Sequence, residues 1–508
     1  IGNQSDVTAA ELLADLAGHD ATEVIAVYLE GFTDAAALFD TLRTLADAGK
    51  PTVLLTVGAS SAGARIARSH TGSLTSAVDI IDAACRKAGV VRARTPGEVI
   101  DIGRTYLAAP RPCGRRVAII GDSGGQCGIA ADVAAGLGLD VPQFSAEVCA
   151  DLAQRLPSGA ATANPVDLAG AGEADLHTYA TVAKNLIGTG EIDAVVLTGY
   201  FGCYARDVPA LATIESTVIG RLGDAVRRTG IPVVVHTMGA DSDAADIMWR
   251  HGIPAYDRIE SALLALSAAA TGPIAAPTAV PPAYSACRPV RPGYWAAREA
   301  LAEIGVSFPP AVMVRTAAEA EAAITTLTLP VVLKAGWLDH KSEVGGVVTG
   351  IADRTELLAA FDAMYSRLGD GEYVIEEQDR RRDTVEILVG ARRDAAFGPV
   401  VVVGAGGTEA EMHQDVRVEL APVSVDTARA MLDGLRCAPL LRGWRGRPAT
   451  DVATLAELVA RVSEYIAVRG DVDEIELNPL RVAADGVVAV DALLTANPSE
   501  QDPALDQS

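Results

Sequence analysis

Short apolar runs that end in glycine punctuate the first half of the chain. VIAVYLEGF (24–32) and KPTVLLTVG (50–58) flank a stretch of helical spacing, and DAVVLTGYFG (193–202) and GIPVVVHTMG (230–239) repeat the order with a longer connection. Runs of this length alternating with helices predict parallel sheets with crossover helices, where ligands bind beyond the carboxyl ends of the strands. Each segment therefore reads as a doubly wound α/β unit.

The second copy has a front half that the first lacks. RRVAIIGDSGGQCGIAAD (115–132) predicts a strand, a Gly-rich turn and a helix start, and ANPVDLAG (163–170) follows. The first copy begins with IGNQSDV at the place of ANPVDL, with no Gly-rich turn and no Met before it. The expectation is an N-terminally truncated chain, cut inside its first α/β domain; an independent small domain starting at residue 1 is the alternative. After residue 270 the stretch 271–292, rich in Pro and Ala, reads as a linker. Beyond it, LPVVLKAGWLDHKSEVGGVVTGI (329–351), EYVIEEQDRRRDTVEILVGARRD (372–394) and DEIELNPLRVAADGVVAVDALL (473–494) predict strands with polar hairpin turns and intervening helices, an α+β pattern. The expected domains are 1–110, 111–270 and 293–508.

Composition narrows the function. A chain of 508 residues allows about three domains of ~150 residues. Its net charge of −24 disfavours a nucleic-acid surface, which needs concentrated positive charge, and points to small molecules or proteins as partners. Seven cysteines without metal spacing argue against a disulfide framework and for a reducing, cytoplasmic setting. No apolar run reaches the ~18 residues of a membrane helix.

The third segment carries the most candidate chemistry. Lys334 closes the apolar run PVVLK, so a cation would project from a strand end, and the Gly345-Gly346 pair would let backbone N–H groups approach a phosphate. A solvated strand terminus is the plainer reading of such a lysine. Glu476 and Asn478 in IELNP and Asp491 in VVAVDA fall on two strands joined by the turn ADG, which would set three oxygen ligands side by side for Mg²⁺. In the first segment, ARSHTGSLTS (67–76) sets His70 among hydroxyl groups and glycine. A neutral imidazole is a nucleophile, although a hydrogen-bonded loop histidine is the commoner use. Glycines after Ile120 would leave the first N–H groups of a helix open to phosphate.

The ordered motifs LPVVLKAGWLDHKSEVGGV, VEILVG, FGPVVVVGAGG, HQDVRVELAPV, LLRGWRGRP and IELNPL resemble the ATP-grasp domain of the NDP-forming acyl-CoA synthetases, which include ADP-forming acetate–CoA ligase and, more distantly, succinyl-CoA synthetase. ARSHTGSLTS, GDSGGQCGIAAD and NPVDL are similar to that family's two flavodoxin-like ligase domains. The resemblance implies two flavodoxin-like domains, the first incomplete, followed by an ATP-grasp domain. It implies a reaction joining a small carboxylic acid to coenzyme A at the expense of ATP, with ADP and phosphate released. His70 would form a phosphohistidine, oriented by Glu30, with Thr71, Gly72, Ser123, Gly124 and Gly125 around the phosphate. His340 would relay the phosphoryl group. Lys334, Glu377 and Glu386 would face the nucleotide, with Asn478 and Asp491 holding Mg²⁺. A separate CoA-binding subunit or a homo-oligomer is left open. The alternative is a silent, regulatory ligase-like region of a protein lysine acetyltransferase; the resemblance implies that such members tend to lose the histidine, and His70 is present.

Overall fold

The computed structural model describes residues 6–32, 34–57, 77–271, 290–339, 341–407, 412 and 414–497. The chain divides into two compact units, one of Ile1–Phe32, Ala37–Ala67 and Cys85–Ile274, the other of Thr33–Ala36, Arg68–Ala84 and Ala275–Ser508. Among the described residues no helix is long and apolar enough to cross a membrane.

The first unit contains two parallel sheets. Strands β1 (Ile25–Leu29), β2 (Thr52–Thr56) and β3 (Val91–Ala93) pair in the order β1-β2-β3. Strands β4 (Val117–Gly121), β5 (Val166–Asp167), β6 (Ala194–Gly199), β7 (Val233–Thr237) and β8 (Ala255–Tyr256) pair in the order β5-β4-β6-β7-β8. The repeat seen in the sequence is thus structural: β1 and β2 correspond to β6 and β7. Strands β4 and β6 are buried along their whole length, as unbroken apolar runs require.

One core crosses residue 110, where a domain boundary is expected. Val53, Ala93 and Ile102 pack together with Val117, Ile119, Val196, Val234 and Leu263. The helix Pro96–Ala108 starts at Thr95, whose hydroxyl accepts the Glu98 N–H at 3.2 Å. It ties to the second sheet's helices through the Tyr106 hydroxyl, which donates to Ala268 O at 3.1 Å, and through Arg104 stacked 4.1 Å from the Trp249 ring.

The second unit is built on two antiparallel sheets. Strands β9 (Ala311–Val314), β10 (Val331–Ala335), β11 (Val347–Ile351) and β12 (Tyr373–Glu377) pair in the order β11-β10-β12-β9. Strands β13 (Val385–Asp394), β14 (Gly398–Ala405), β15 (Val416–Leu420), β16 (Val472–Ala483) and β17 (Gly486–Ala489) pair in the order β15-β14-β13-β16-β17, and β18 (Leu493–Ala496) also pairs with β16. The smaller sheet buries Leu333, Phe361 and Tyr373; the larger packs on the helices Tyr294–Glu303 and Val452–Val468. The predicted ADG turn joins β16 to β17, with Ala483 opposite Gly486. Asp491 differs from expectation: it lies past the end of β17, in the connection to β18.

Candidate functional site

In the first unit the carboxyl end of β4 runs into Asp122-Ser123-Gly124-Gly125. Ser123 caps the helix Gly124–Gly136 in an extended conformation (φ −141°) without a side-chain cap bond, and Ser123, Gly124 and Gly125 are exposed. The positive end of the helix is therefore open to an anion. Two glycines are required by close approach. A Cβ at Gly124 would lie 2.8 Å from Asp167 Oδ2, and one at Gly121 would lie 2.7 Å from Thr198 O and 2.8 Å from Cys127 Sγ.

Several groups that sequence reasoning missed hold this turn and the loops beside it. Asp122 accepts backbone N–H groups of Gly170, Gly172 and Glu173 at 3.1, 3.2 and 2.8 Å, and hydroxyls of Tyr179 and Tyr204 at 3.3 and 3.4 Å. Burial pushes the Tyr204 phenol up to about 12, so it remains a donor. Asn164, from the NPVDL motif, accepts the Ile119 N–H at 3.0 Å and donates to Val117 O at 2.8 Å, acting as an extra rung on the edge of β4. Glu215 is 1% exposed and accepts N–H groups of Gly202, Tyr204 and Ala205 at 2.9, 3.3 and 2.9 Å, pinning the loop after β6. The signal available in the sequence was a carboxylate directly before the Gly-rich turn; its partners lie about fifty residues further on.

Glu30 follows β1, is exposed, and accepts the Tyr28 hydroxyl at 3.0 Å. His70, Thr71, Gly72 and His340 lie outside the described residues.

The second unit concentrates charge around Tyr294. Lys334 is inside β10 and 5% exposed, not a solvated strand end. Its ammonium donates to Glu376 Oε1 at 2.7 Å, to the Tyr294 hydroxyl at 3.3 Å and to Val490 O. Glu376, 1% exposed, accepts in turn from the Tyr294 hydroxyl at 2.6 Å and Arg298 at 2.8 Å. Lys341, also buried, lies 2.7 Å from Asp491 Oδ1. Both ammonium groups approach the Tyr294 ring, at 4.5 and 5.2 Å. Burial beside Glu376 raises the Tyr294 phenol far above its ordinary range, so it stays neutral. Three cations, Lys334, Lys341 and Arg298, thus share two carboxylates, Glu376 and Asp491. Among the described residues the cluster carries one positive charge more than its paired carboxylates balance, which a polyanion would neutralise.

The other predicted residues fall into two groups. Glu386 is exposed on β13, and a Cβ at Gly407 would lie 2.5 Å from Glu386 Oε2. The Gly407 N–H donates to Asn478 Oδ1 at 3.0 Å, and Asn478 Nδ2 donates to Glu476 Oε1 at 3.2 Å, so Glu386, Gly407, Asn478 and Glu476 form one chain of contacts. Glu377, at the end of β12, accepts the Thr328 N–H at 2.7 Å. The Gly345 and Gly346 N–H groups donate to Ser342 O at 3.3 Å and Lys341 O at 2.6 Å. These glycines therefore close a turn, and their amides are used within it. Glu476, Asn478 and Asp491 offer only oxygen donors, which suits Mg²⁺. Among the described residues no three His, Cys, Asp or Glu side chains gather as metal ligands.

Comparison with known proteins gives three family matches in succession: a succinyl-CoA ligase-like flavodoxin domain over residues 1–106, a ligase-CoA domain over 117–272 and an ATP-grasp domain over 293–495. The chain is 30% identical to a trans-feruloyl-CoA synthase from an unknown prokaryotic organism, covering 97% of this chain and 71% of the relative. It is 29% identical to an ADP-forming acetate–CoA ligase of Archaeoglobus fulgidus, covering 97% of this chain and 72% of that protein. Among solved structures, an acetyl-coenzyme A synthetase of Ca. Korarchaeum cryptofilum in complex with phosphate and ADP aligns with a TM-score of 0.44 and 25% identity, over 53% of this chain and 57% of that one.

Proposed function

The chain belongs to the NDP-forming acyl-CoA synthetase family, and from that premise we propose that it takes part in the reaction acid + ATP + CoA = acyl-CoA + ADP + phosphate. The observation that carries this reading is the buried excess of positive charge around Tyr294, on Lys334, Lys341 and Arg298. Phosphoryl transfer needs positioning and charge neutralisation above all, and a desolvated cation cluster supplies both.

A carboxylate is a poor electrophile, so the acid is first activated. The γ-phosphoryl group leaves ATP for a histidine nitrogen, releasing ADP; the acid's carboxylate then takes it, freeing the histidine and forming an acyl phosphate. The CoA thiol attacks the acyl carbon, inorganic phosphate leaves, and the thiol proton passes to solvent or to phosphate. His340 is the first acceptor and His70 the second in this reading. Neutral imidazole, with an ordinary pKa of ~6.5, is available as nucleophile at cell pH. Glu30 orients His70, and Ser123, Gly124 and Gly125 offer backbone N–H groups to its phosphate, helped by the open helix end. Thr71 and Gly72 shape the loop. Lys334 holds the nucleotide phosphates, Glu377 and Glu386 border the nucleotide, and Gly345 and Gly346 form the turn that carries Lys341. Asn478, Asp491 and Glu476 would hold Mg²⁺, which would neutralise phosphate charge. The cysteine usage and charge support a reducing, cytoplasmic setting.

Incubation with ATP labelled in the γ-phosphate, followed by mapping of acid-labile phosphate, tests the relay. Label is expected on His340 and on His70; absence of label from both histidines contradicts the proposal.

A further inference from the structure

Lys334 and Lys341 are equally buried yet differently satisfied. Lys334 donates to three acceptors, Glu376, Tyr294 and Val490 O. Among the described residues Lys341 makes its ion pair with Asp491 Oδ1, at 2.7 Å, and faces the Tyr294 ring at 5.2 Å. The same Oδ1 accepts the Ala492 N–H at 2.9 Å, so the carboxylate is held in place by its own backbone. The lysine is held as firmly. Its carbonyl accepts the Gly346 N–H at 2.6 Å, and Gly346 O accepts the Ala335 N–H at 2.8 Å, which fastens the turn to the end of β10. A Cβ on Gly346 would lie 2.8 Å from Lys341 O, so only glycine permits this closure.

Asp491 is one of the oxygen donors assigned above to a divalent cation. A metal ion at ~2.0–2.1 Å from Oδ1 would take the place of the ammonium, and one on Oδ2 would meet the ammonium's like charge across the same carboxylate. We propose that the Lys341–Asp491 pair is a built-in latch, in which the ammonium occupies the carboxylate until a divalent cation displaces it and the freed ammonium turns to the nucleotide phosphates. The inference rests on the reading of this unit as the nucleotide site. Its consequence is reciprocal coupling. Metal alone binds poorly because it strands a buried lysine, and nucleotide alone binds poorly because that lysine is committed. Together each removes the obstacle to the other.

Binding of Mn²⁺ alone, followed by the resonance of the free ion, tests the latch without turnover. Lys341→Met should tighten Mn²⁺ by about tenfold, within the usual range of coupling between sites. Lys341→Gln is the second variant should the first fail to fold. Lys341→Arg, which keeps the charge, should bind Mn²⁺ like the parent chain. Asp491→Asn should weaken Mn²⁺ and abolish the effect of Lys341→Met in the double variant. Mn²⁺ affinity unchanged or weakened in both Lys341→Met and Lys341→Gln overturns the latch. Metal-free ATP binding to Lys334→Met, measured in parallel, reports on the nucleotide reading separately. Loss of ATP binding there with an unresponsive Lys341 overturns the latch alone; undiminished ATP binding overturns the nucleotide reading and the latch with it.

Discussion

At the Ser123 turn the positive potential comes from the open amides of a helix N-terminus, whereas around Tyr294 it comes from side-chain cations packed among carboxylates. The two designs fail differently. The first depends on backbone shape: Gly121 and Gly124 let strand, turn and helix approach within distances that any Cβ would violate, while Asp122 and Glu215 spend their charge on fixing loops. The second depends on charge balance: Lys334 and Glu376 are almost fully desolvated, so removing Lys334 leaves Glu376 with Arg298 alone, and removing Glu376 leaves Lys334 without its carboxylate.

The largest effect should therefore come from Lys334→Met. Loss of one partner of a buried pair costs about 3–5 kcal/mol, and a thermal or denaturant melt should show the second unit destabilised, with ATP affinity falling at least tenfold. Adding Glu376→Gln should return only part of the stability, because Arg298 then loses its carboxylate, and should not return ATP binding, which separates the structural role of the pair from its charge. Gly124→Val is the matching insult to the first design. Its Cβ meets Asp167 Oδ2 at 2.8 Å, an overpacking worth about 1–3 kcal/mol, and phosphohistidine at His70 should drop while label at His340 persists. The smallest effect is in pH. Burial pushes the His236 imidazole below its usual 6.5, against the opposing pull of Glu260 and Asp257, and Nδ1 stands 2.8 Å from Thr198 Oγ1. The unfolded chain thus takes up the proton first. The contribution to stability is complete above about pH 6.5 and is lost as pH falls from there toward the lower folded value. His236→Asn should flatten this part of the stability profile. Deepening of the acid limb in that variant would contradict the assignment.

Much of the architecture could be read from the chain because buried parallel strands leave unbroken apolar runs, as in VAIIG and AVVLTG, and tight hairpins leave turn residues, as in ADG. Lys334 stood out for the same reason, a cation closing an apolar run. Its partner did not. Glu376 and Glu377 are adjacent in sequence, and successive residues of a strand face opposite ways. Glu376 pairs across the sheet with Val332, one diagonal step from Lys334, and that register is fixed by an antiparallel pairing between segments about forty residues apart. The glycine pair 345–346 read as a loop whose amides are open to a phosphate, but the use of those amides depends on where Lys341 O and Ser342 O point. Asp122 was invisible as a strut because its acceptor role becomes definite only when Gly170, Tyr179 and Tyr204 fold over it.

Equilibrium binding of ATP to the parent chain, Lys334→Met and Gly124→Val, with folding checked by circular dichroism, tests the contrast most directly. The prediction is a loss of at least tenfold for Lys334→Met and unchanged affinity for Gly124→Val. Equal loss in both folded variants, or retained binding in Lys334→Met, would contradict a nucleotide site built on the charge cluster around Tyr294.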